Sequence, residues 1–162
     1  MRWISPGHEA AGGPIAGIFL RRIGAPLDLA PPVCALVVHH LAHHHGQTEF
    51  TDTSVRRLAR PLAPATIDDL TLVLRAAPAG RPPLRSSDAI ARIDQLQAKA
   101  QSLAVENSAP RPLVLGRHLV ALGRKPGPDF KAILAEAFEA QLDGAFADEA
   151  GGVAWLKERL GR

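Results

Sequence analysis

Tyrosine is absent from this chain, cysteine and methionine occur once each, and the large aromatics are five phenylalanines and two tryptophans. A lone cysteine, Cys34, excludes an internal disulfide framework and suits a reducing cytosol. Trp3 and Trp155 lie near the two ends, so there is no row of aromatic platforms on which successive bases would stack. No apolar run reaches the ~18–20 residues that a membrane span requires. The N-terminus also lacks a basic start followed by an apolar stretch. The expectation is a soluble, cytoplasmic chain with no membrane partner. Catalytic signatures are equally scarce: there is no Gly-rich phosphate loop, no Ser-His-Asp arrangement with supporting context and no base placed to activate Cys34.

What is present is apolar and basic. With 162 residues, 46% of them hydrophobic, the chain can bury one sizeable core or two small ones joined by a linker. The formal net charge of +3 is unevenly spread. Residues 56–125 carry 12 basic and 5 acidic groups, a balance of +7, whereas the segments on either side are net acidic. A basic stretch of that size can neutralise several phosphates, a source of sequence-independent nucleic-acid affinity. The plainer account is a solvated arginine-rich helix surface.

Periodicity predicts helices throughout. Pro14 to Ile23 spaces Ile15, Ile18, Phe19 and Arg22 as a buried stripe and its edge, ending at Gly24. Pro31-Pro32 opens a second helix, Val33 to His45, closed by Gly46. Thr51 to Ser54 offers caps for a helix holding Val55, Leu58 and Ala59, interrupted by Pro61 and Pro64. Thr66 with Asp69 has the form of a capping box ahead of the stripe Leu70, Val73 and Leu74. Ala79 to Ser87, with its glycine, prolines and serines, reads as the domain boundary. Beyond it, Ile90, Ile93, Leu96, Ala100 and Leu103 form a seam expected to carry the following helix pair.

That pair is the most sharply punctuated stretch. From Pro112 to Gly144 a short helix stops at Leu122-Gly123, a basic connector runs through Arg124-Lys125-Pro126-Gly127-Pro128, and a second helix opens at Asp129. Phe130, Ile133, Leu134, Ala137 and Phe138 share one face; Glu136, Glu139 and Asp143 share the other. A last helix from Asp148 or Glu149 to Leu160 turns Val153, Leu156 and Leu160 inward, with Gly151-Gly152 weakening its first turn. The predicted fold is all-α, about seven short helices in two abutting subdomains, residues 1–80 and 86–162.

The run PLVLGRHLVALGRKPGPDFKAILAEAFEAQLDG, followed by an acidic turn and AWLKERL, resembles the C-terminal region of bacterial tRNA nucleotidyltransferases, the CCA-adding enzymes and their poly(A) polymerase relatives. The likeness rests on Pro112, Gly116, Leu119, Gly123, Pro126, Gly127, Pro128, Phe130, Gln141, Gly144 and Trp155, among others. GHEAAGGPIAGIFLRRIGAP is similar to the same family's HD-like helical domain, and the resemblance implies a histidine set at His8 and at His39 or His40. It also implies an adjacent His-Asp pair and a distant aspartate. Neither is here: no His-Asp dipeptide occurs, and Ala77 stands where the ligand carboxylate would be.

The histidines have a chemistry of their own. His39/His43 and His40/His44 fall at i,i+4 on the predicted helix, a spacing at which two imidazoles share a divalent ion. Two ligands on one helix do not complete a catalytic centre, which wants three or more with an open position. The metal candidates are therefore His8, His39, His40 and His43, a degenerate set for a divalent metal. Nucleotide addition itself needs carboxylates that hold Mg²⁺ at the triphosphate, which the resemblance places in an N-terminal head with an Asp-x-Asp pair. No such pair occurs in this sequence.

The expected function is accordingly an RNA-binding or support module for tRNA 3′-end processing, contacting tRNA or another RNA through Arg117, Arg124, Lys125, Arg56, Arg57 and Arg81. It would act alone or beside a separately encoded nucleotidyltransferase head. The alternatives are an HD-type metal-dependent phosphohydrolase and a folded relic without activity.

Overall fold

The computed structural model describes residues 7–42, 49–79 and 87–161. They form eight α-helices and, among the described residues, no strand: α1 (His8–Arg22), α2 (Ala30–His39), α3 (Asp52–Leu62), α4 (Ile67–Ala79), α5 (Ser87–Ser102), α6 (Gly116–Ala121), α7 (Asp129–Leu142) and α8 (Glu149–Arg159). The all-α class read from periodicity holds. The chain divides into two compact units, Met1–Ala109 and Pro110–Arg162.

In the first unit the core is built by α3, α4 and α5. Val55, Leu62, Ile67, Leu70, Leu74, Ile93, Leu96 and Ala100 are almost wholly removed from water, with Leu36 and Phe50 packed on the edge. Each large side chain so buried contributes about 1.5–3 kcal/mol of transfer free energy, enough to hold helices too short to stand alone. Local chemistry fixes where they begin. Thr51 Oγ1 accepts from Ser54 N–H at 3.1 Å at the head of α3. Ahead of α4 the Thr66–Asp69 capping box forms in both directions, Thr66 N–H donating to Asp69 Oδ2 and Asp69 N–H to Thr66 Oγ1, each at 3.0 Å.

Polar ties span the same helices. Arg75 pairs with Asp94 at 2.6 Å and donates to Gln97 Oε1 at 2.9 Å, joining α4 to α5. Lys99 on α5 donates to Asp52 on α3 at 2.9 Å, and this hydrogen bond holds the Asp52 carboxyl below its ordinary value. Because α5 packs against α3 and α4, its apolar face belongs to the first core. The division at residue 109 thus places α5 with the elements before it, not after the Pro-rich segment read as a boundary. Residues 80–86 of that segment lie outside the described residues.

Helix α1 corrects the sequence reading most. It begins at His8, well before Pro14, and the face turned to α2 is its glycine face. Gly13 and Gly17 are buried, whereas Ile15, Ile18 and Phe19, expected as the buried stripe, are 64%, 58% and 58% exposed. The reason is steric: a Cβ on Gly12 would lie 2.8 Å from Val37 Cγ1, and one on Gly13 2.7 Å from Val38 Cγ2. Only a face without side chains lets α2 come so near. Val73 and Ile90, expected at the core, are likewise on its margin at 37% and 36% exposed. Helix α2 runs from Ala30 to His39, with His40 as its C-cap; the expected extension to His45 falls largely outside the described residues.

The second unit is a smaller cluster of α6, α7 and α8. Val114, Leu119, Ala137, Phe146 and Leu156 form its centre, edged by Phe130, Ile133, Leu134, Trp155 and Leu160. Gly123 closes α6 in the left-handed region, φ 76°, with Arg124 N–H reaching Leu119 O and Gly123 N–H reaching Val120 O. Gln141 on α7 pins the entering strand of chain by accepting from Leu113 N–H and donating to Arg111 O, both at 2.9 Å. Asp148 caps α8 by accepting from Gly151 N–H at 2.7 Å. Arg159 donates to Glu136 at 2.6 Å, which holds the Glu136 carboxyl down and raises the guanidinium.

Gly152, read from sequence as a weakness in α8, is required by packing. A Cβ there would stand 2.6 Å from Val114 Cγ2 and 3.0 Å from Phe146 Cε2. Gly152→Ala should therefore lower stability by about 1–2 kcal/mol, overpacking outweighing the gain in helix propensity. Gly116→Ala, whose Cβ would meet only Phe130 Cδ2 at 3.9 Å, should be tolerated. Urea denaturation of the two variants checks this contrast; equal stability would show that α8 sits further from Val114 than described.

Candidate functional site

The cations predicted to meet RNA fall into three situations. Arg81 lies outside the described residues. On α3, Arg56 is half-buried and lies 4.0 Å from Asp52 one turn earlier, while Arg57 is exposed and makes an interaction of its own. Asp52 also accepts from Lys99, so Arg56 shares this carboxylate with a second cation. The third situation is the α6–α7 region of the second unit, where Arg117, Arg124 and Lys125 are brought into one short stretch of structure.

The connector explains how. Gly123 ends α6, and Pro126 and Pro128 carry the chain into α7, whose first residue is Asp129. Arg124 is held by the Asp129 carboxylate, which fixes the guanidinium beside the first turn of α7. Lys125 is exposed, and Lys131, one turn into α7, is exposed as well. Positive charge therefore gathers where the backbone amides of α7 also point, since a helix N-terminus bears partial positive charge.

Arg117 is tied to a polar centre that sequence reasoning missed. His118 is 8% exposed, yet both ring nitrogens have partners. Its Nδ1 accepts from Leu115 N–H at 3.0 Å, and His118 N–H in turn reaches Leu115 O at 2.9 Å. An imidazole accepting at Nδ1 carries its proton on Nε2. That nitrogen then donates to Glu149 Oε1 at 3.0 Å, while Arg117 Nη2 donates to Glu149 Oε2 at 3.1 Å. Arg117 Nε, 3.1 Å from the same Nε2, is a neighbouring donor and gains no bond there. One carboxylate at the head of α8 thus gathers an imidazole and a guanidinium from α6. A histidine three residues inside a helix start had the signal of a cap, but its glutamate partner lies 31 residues on and only the fold supplies it.

The predicted metal set is divided. His43 lies outside the described residues, as does His44, so neither i,i+4 pair is described. His39 lies in the groove between α1, α2 and α3. His8 and His40 converge, Nε2 to Nε2 at 3.2 Å, with the rings edge to face and centroids 5.1 Å apart. His40 Nδ1 lies 2.6 Å from Val37 O, an obligate acceptor, so its proton sits there; His8 Nδ1 lies 3.4 Å from Glu9. His40 Nε2 is therefore the acceptor and His8 Nε2–H the donor of this contact, and the same 3.2 Å spacing matches that of two ligands of a tetrahedral ion, about 3.3 Å apart.

A hydrolytic centre needs more. Among the described residues no group of three His, Cys, Asp or Glu side chains is disposed to hold a metal. With no His-Asp pair and alanine at position 77, the residues present do not fit an HD-type centre.

Replacing His118 with alanine strands Leu115 N–H and leaves Glu149 facing Arg117 alone. The expected loss is about 1–3 kcal/mol of unfolding free energy, with His118→Asn recovering part of it through a side-chain acceptor near Nδ1. Thermal or urea unfolding reads both, and an unaffected His118→Ala variant would remove His118 from any part in docking α6 on α8.

Comparison with family models, curated proteins and solved structures finds no match for this chain.

Proposed function

We propose that this protein is an RNA-holding module of the kind that closes tRNA nucleotidyltransferases, gripping tRNA or a similar RNA by its phosphates and contributing no nucleotidyl transfer of its own. The observation that carries the reading is the cationic connector between α6 and α7, where Arg124 and exposed Lys125 stand beside the N-terminal turn of α7. The resemblance of Pro112 to Gly144 to that family supports the same reading.

Phosphate engagement asks little of the fold. Arg124 and Asp129 are both about half exposed, and surface ion pairs of this kind are worth about 0–1 kcal/mol, so a phosphate can replace the carboxylate at small cost. Arg117 can turn to a phosphate in the same way, because Glu149 keeps His118 as its partner. Lys125 gives up no ion pair at all among the described residues. Such contacts position an RNA without reading its bases. A separately encoded head carrying the Mg²⁺-holding carboxylates would be the natural partner for such a module.

Fluorescence anisotropy with labelled tRNA, an unrelated duplex as control and a salt series tests this. Preferential tRNA binding with a steep salt slope is expected, and each of Lys125→Ala, Arg124→Ala and Arg117→Ala should flatten that slope by about one phosphate contact. Lys125→Ala should cost most, since its charge is the one without a competing carboxylate. Absence of binding at low salt would leave a folded relic.

A second reading, cation binding without hydrolysis, is favoured by the convergence of His8 and His40. Titration with Ni²⁺ or Zn²⁺ followed by calorimetry should then give one weak site, lost in His8→Ala and in His40→Ala alike. Titration that neither substitution affects would end this reading.

A further inference from the structure

Beside the close approach of α1 and α2 at Gly12 and Gly13 lies a groove of about 600 Å³, lined by both helices and by Pro61 of α3. Its floor includes Gly13 and Gly17, which contribute no side chains, and its walls are Ile18, Ala35, Val38 and Pro61. That volume falls in the range of small-ligand sites, and the lining is mostly apolar with few polar groups.

The one permanently charged side chain in the lining is Arg21. Arg21 stands four residues beyond Gly17 on the same helix face, and its Nη1 lies 3.9 Å from where a Cβ on Gly17 would be. The guanidinium therefore folds back along the glycine face to the groove. Among the described residues no carboxylate pairs with it. Helix α2 carries no acid, and the one acid of α1, Glu9, is turned to His8. His39 adds an imidazole to the lining. An apolar trough with an unpaired guanidinium at its edge is complementary to a ligand with a hydrocarbon body and an anionic head.

We propose that this groove binds a small amphipathic carboxylate, the chain lying along Ile18, Ala35, Val38 and Pro61 and the head group on Arg21. The site is separate from the α6–α7 connector and does not depend on the RNA-holding reading.

Cys34, the chain's single cysteine, lines the same groove and makes a built-in reporter. Its alkylation by N-ethylmaleimide, an uncharged reagent, is followed by intact mass while octanoate is titrated against the full chain. Octanoate should slow the reaction saturably with a sub-millimolar midpoint, whereas octanamide, its neutral match, should need about fivefold more. Arg21→Gln should bring octanoate to the octanamide level, and Arg21→Lys should retain most of the difference. Arg21 is exposed, so neither variant should disturb the helical circular dichroism. Ligand-observed NMR of octanoate provides the same comparison if alkylation proves slow. No saturable octanoate binding by either method, or equal binding of octanoate to the parent and to Arg21→Gln, overturns the proposal.

Discussion

A Cβ on Gly13 would stand 2.7 Å from Val38 Cγ2, and one on Gly152 2.6 Å from Val114 Cγ2. Both units thus depend on the same constraint: a helix backbone must approach its neighbour more closely than any side chain permits. Short helices gain little from propensity, so their stability comes from contact, and bare backbone is what allows contact here. In the second unit this brings α8 onto the centre formed by Val114 and Phe146. In the first it draws α2 onto α1, and the consequences for α1 are large. With its glycine face inside, its isoleucines and phenylalanine are left outside.

Polar contacts then fix what the apolar contacts bring near. Glu149 holds α8 to α6 through His118 and Arg117, Glu136 holds α7 to α8 through Arg159, and Asp52 holds α3 to α5 through Lys99. Most of these pairs are exposed at one end, where each is weak, and their value lies in setting direction. On the proposed reading, the same weakness would let a phosphate take the place of the carboxylates that orient Arg124 and Arg117. The buried His118 is the exception, because its bond to Leu115 N–H fixes the tautomer and leaves no freedom to the ring.

Function on this reading is divided between charge and shape. The second unit presents cations at a helix start, a place where anions are attracted by backbone as well as side chains. The first presents two convergent histidines at one end of the α1–α2 pair and an apolar groove with Arg21 along its length. Among the described residues no helix is long and apolar enough to cross a membrane.

The sequence by itself determined the all-α class, the capping box at Thr66 and Asp69, the stop at Gly123, the cap at Asp148 and the apolar faces of α5 and α7. Each depends on residues within one turn of each other, where backbone geometry and local hydrogen bonding leave few choices. It also placed Arg117, Arg124 and Lys125 around one connector, since the turn lies between them. Tertiary structure alone decided which face of α1 is buried, because hydrophobic spacing cannot register that a neighbour needs bare backbone. It alone paired His8 with His40 across 32 residues and His118 with Glu149 across 31, and it set His39 in the groove beside α3 while its neighbour His40 met His8. Those partners share no local pattern; they meet only where packed helices bring distant positions within hydrogen-bond reach.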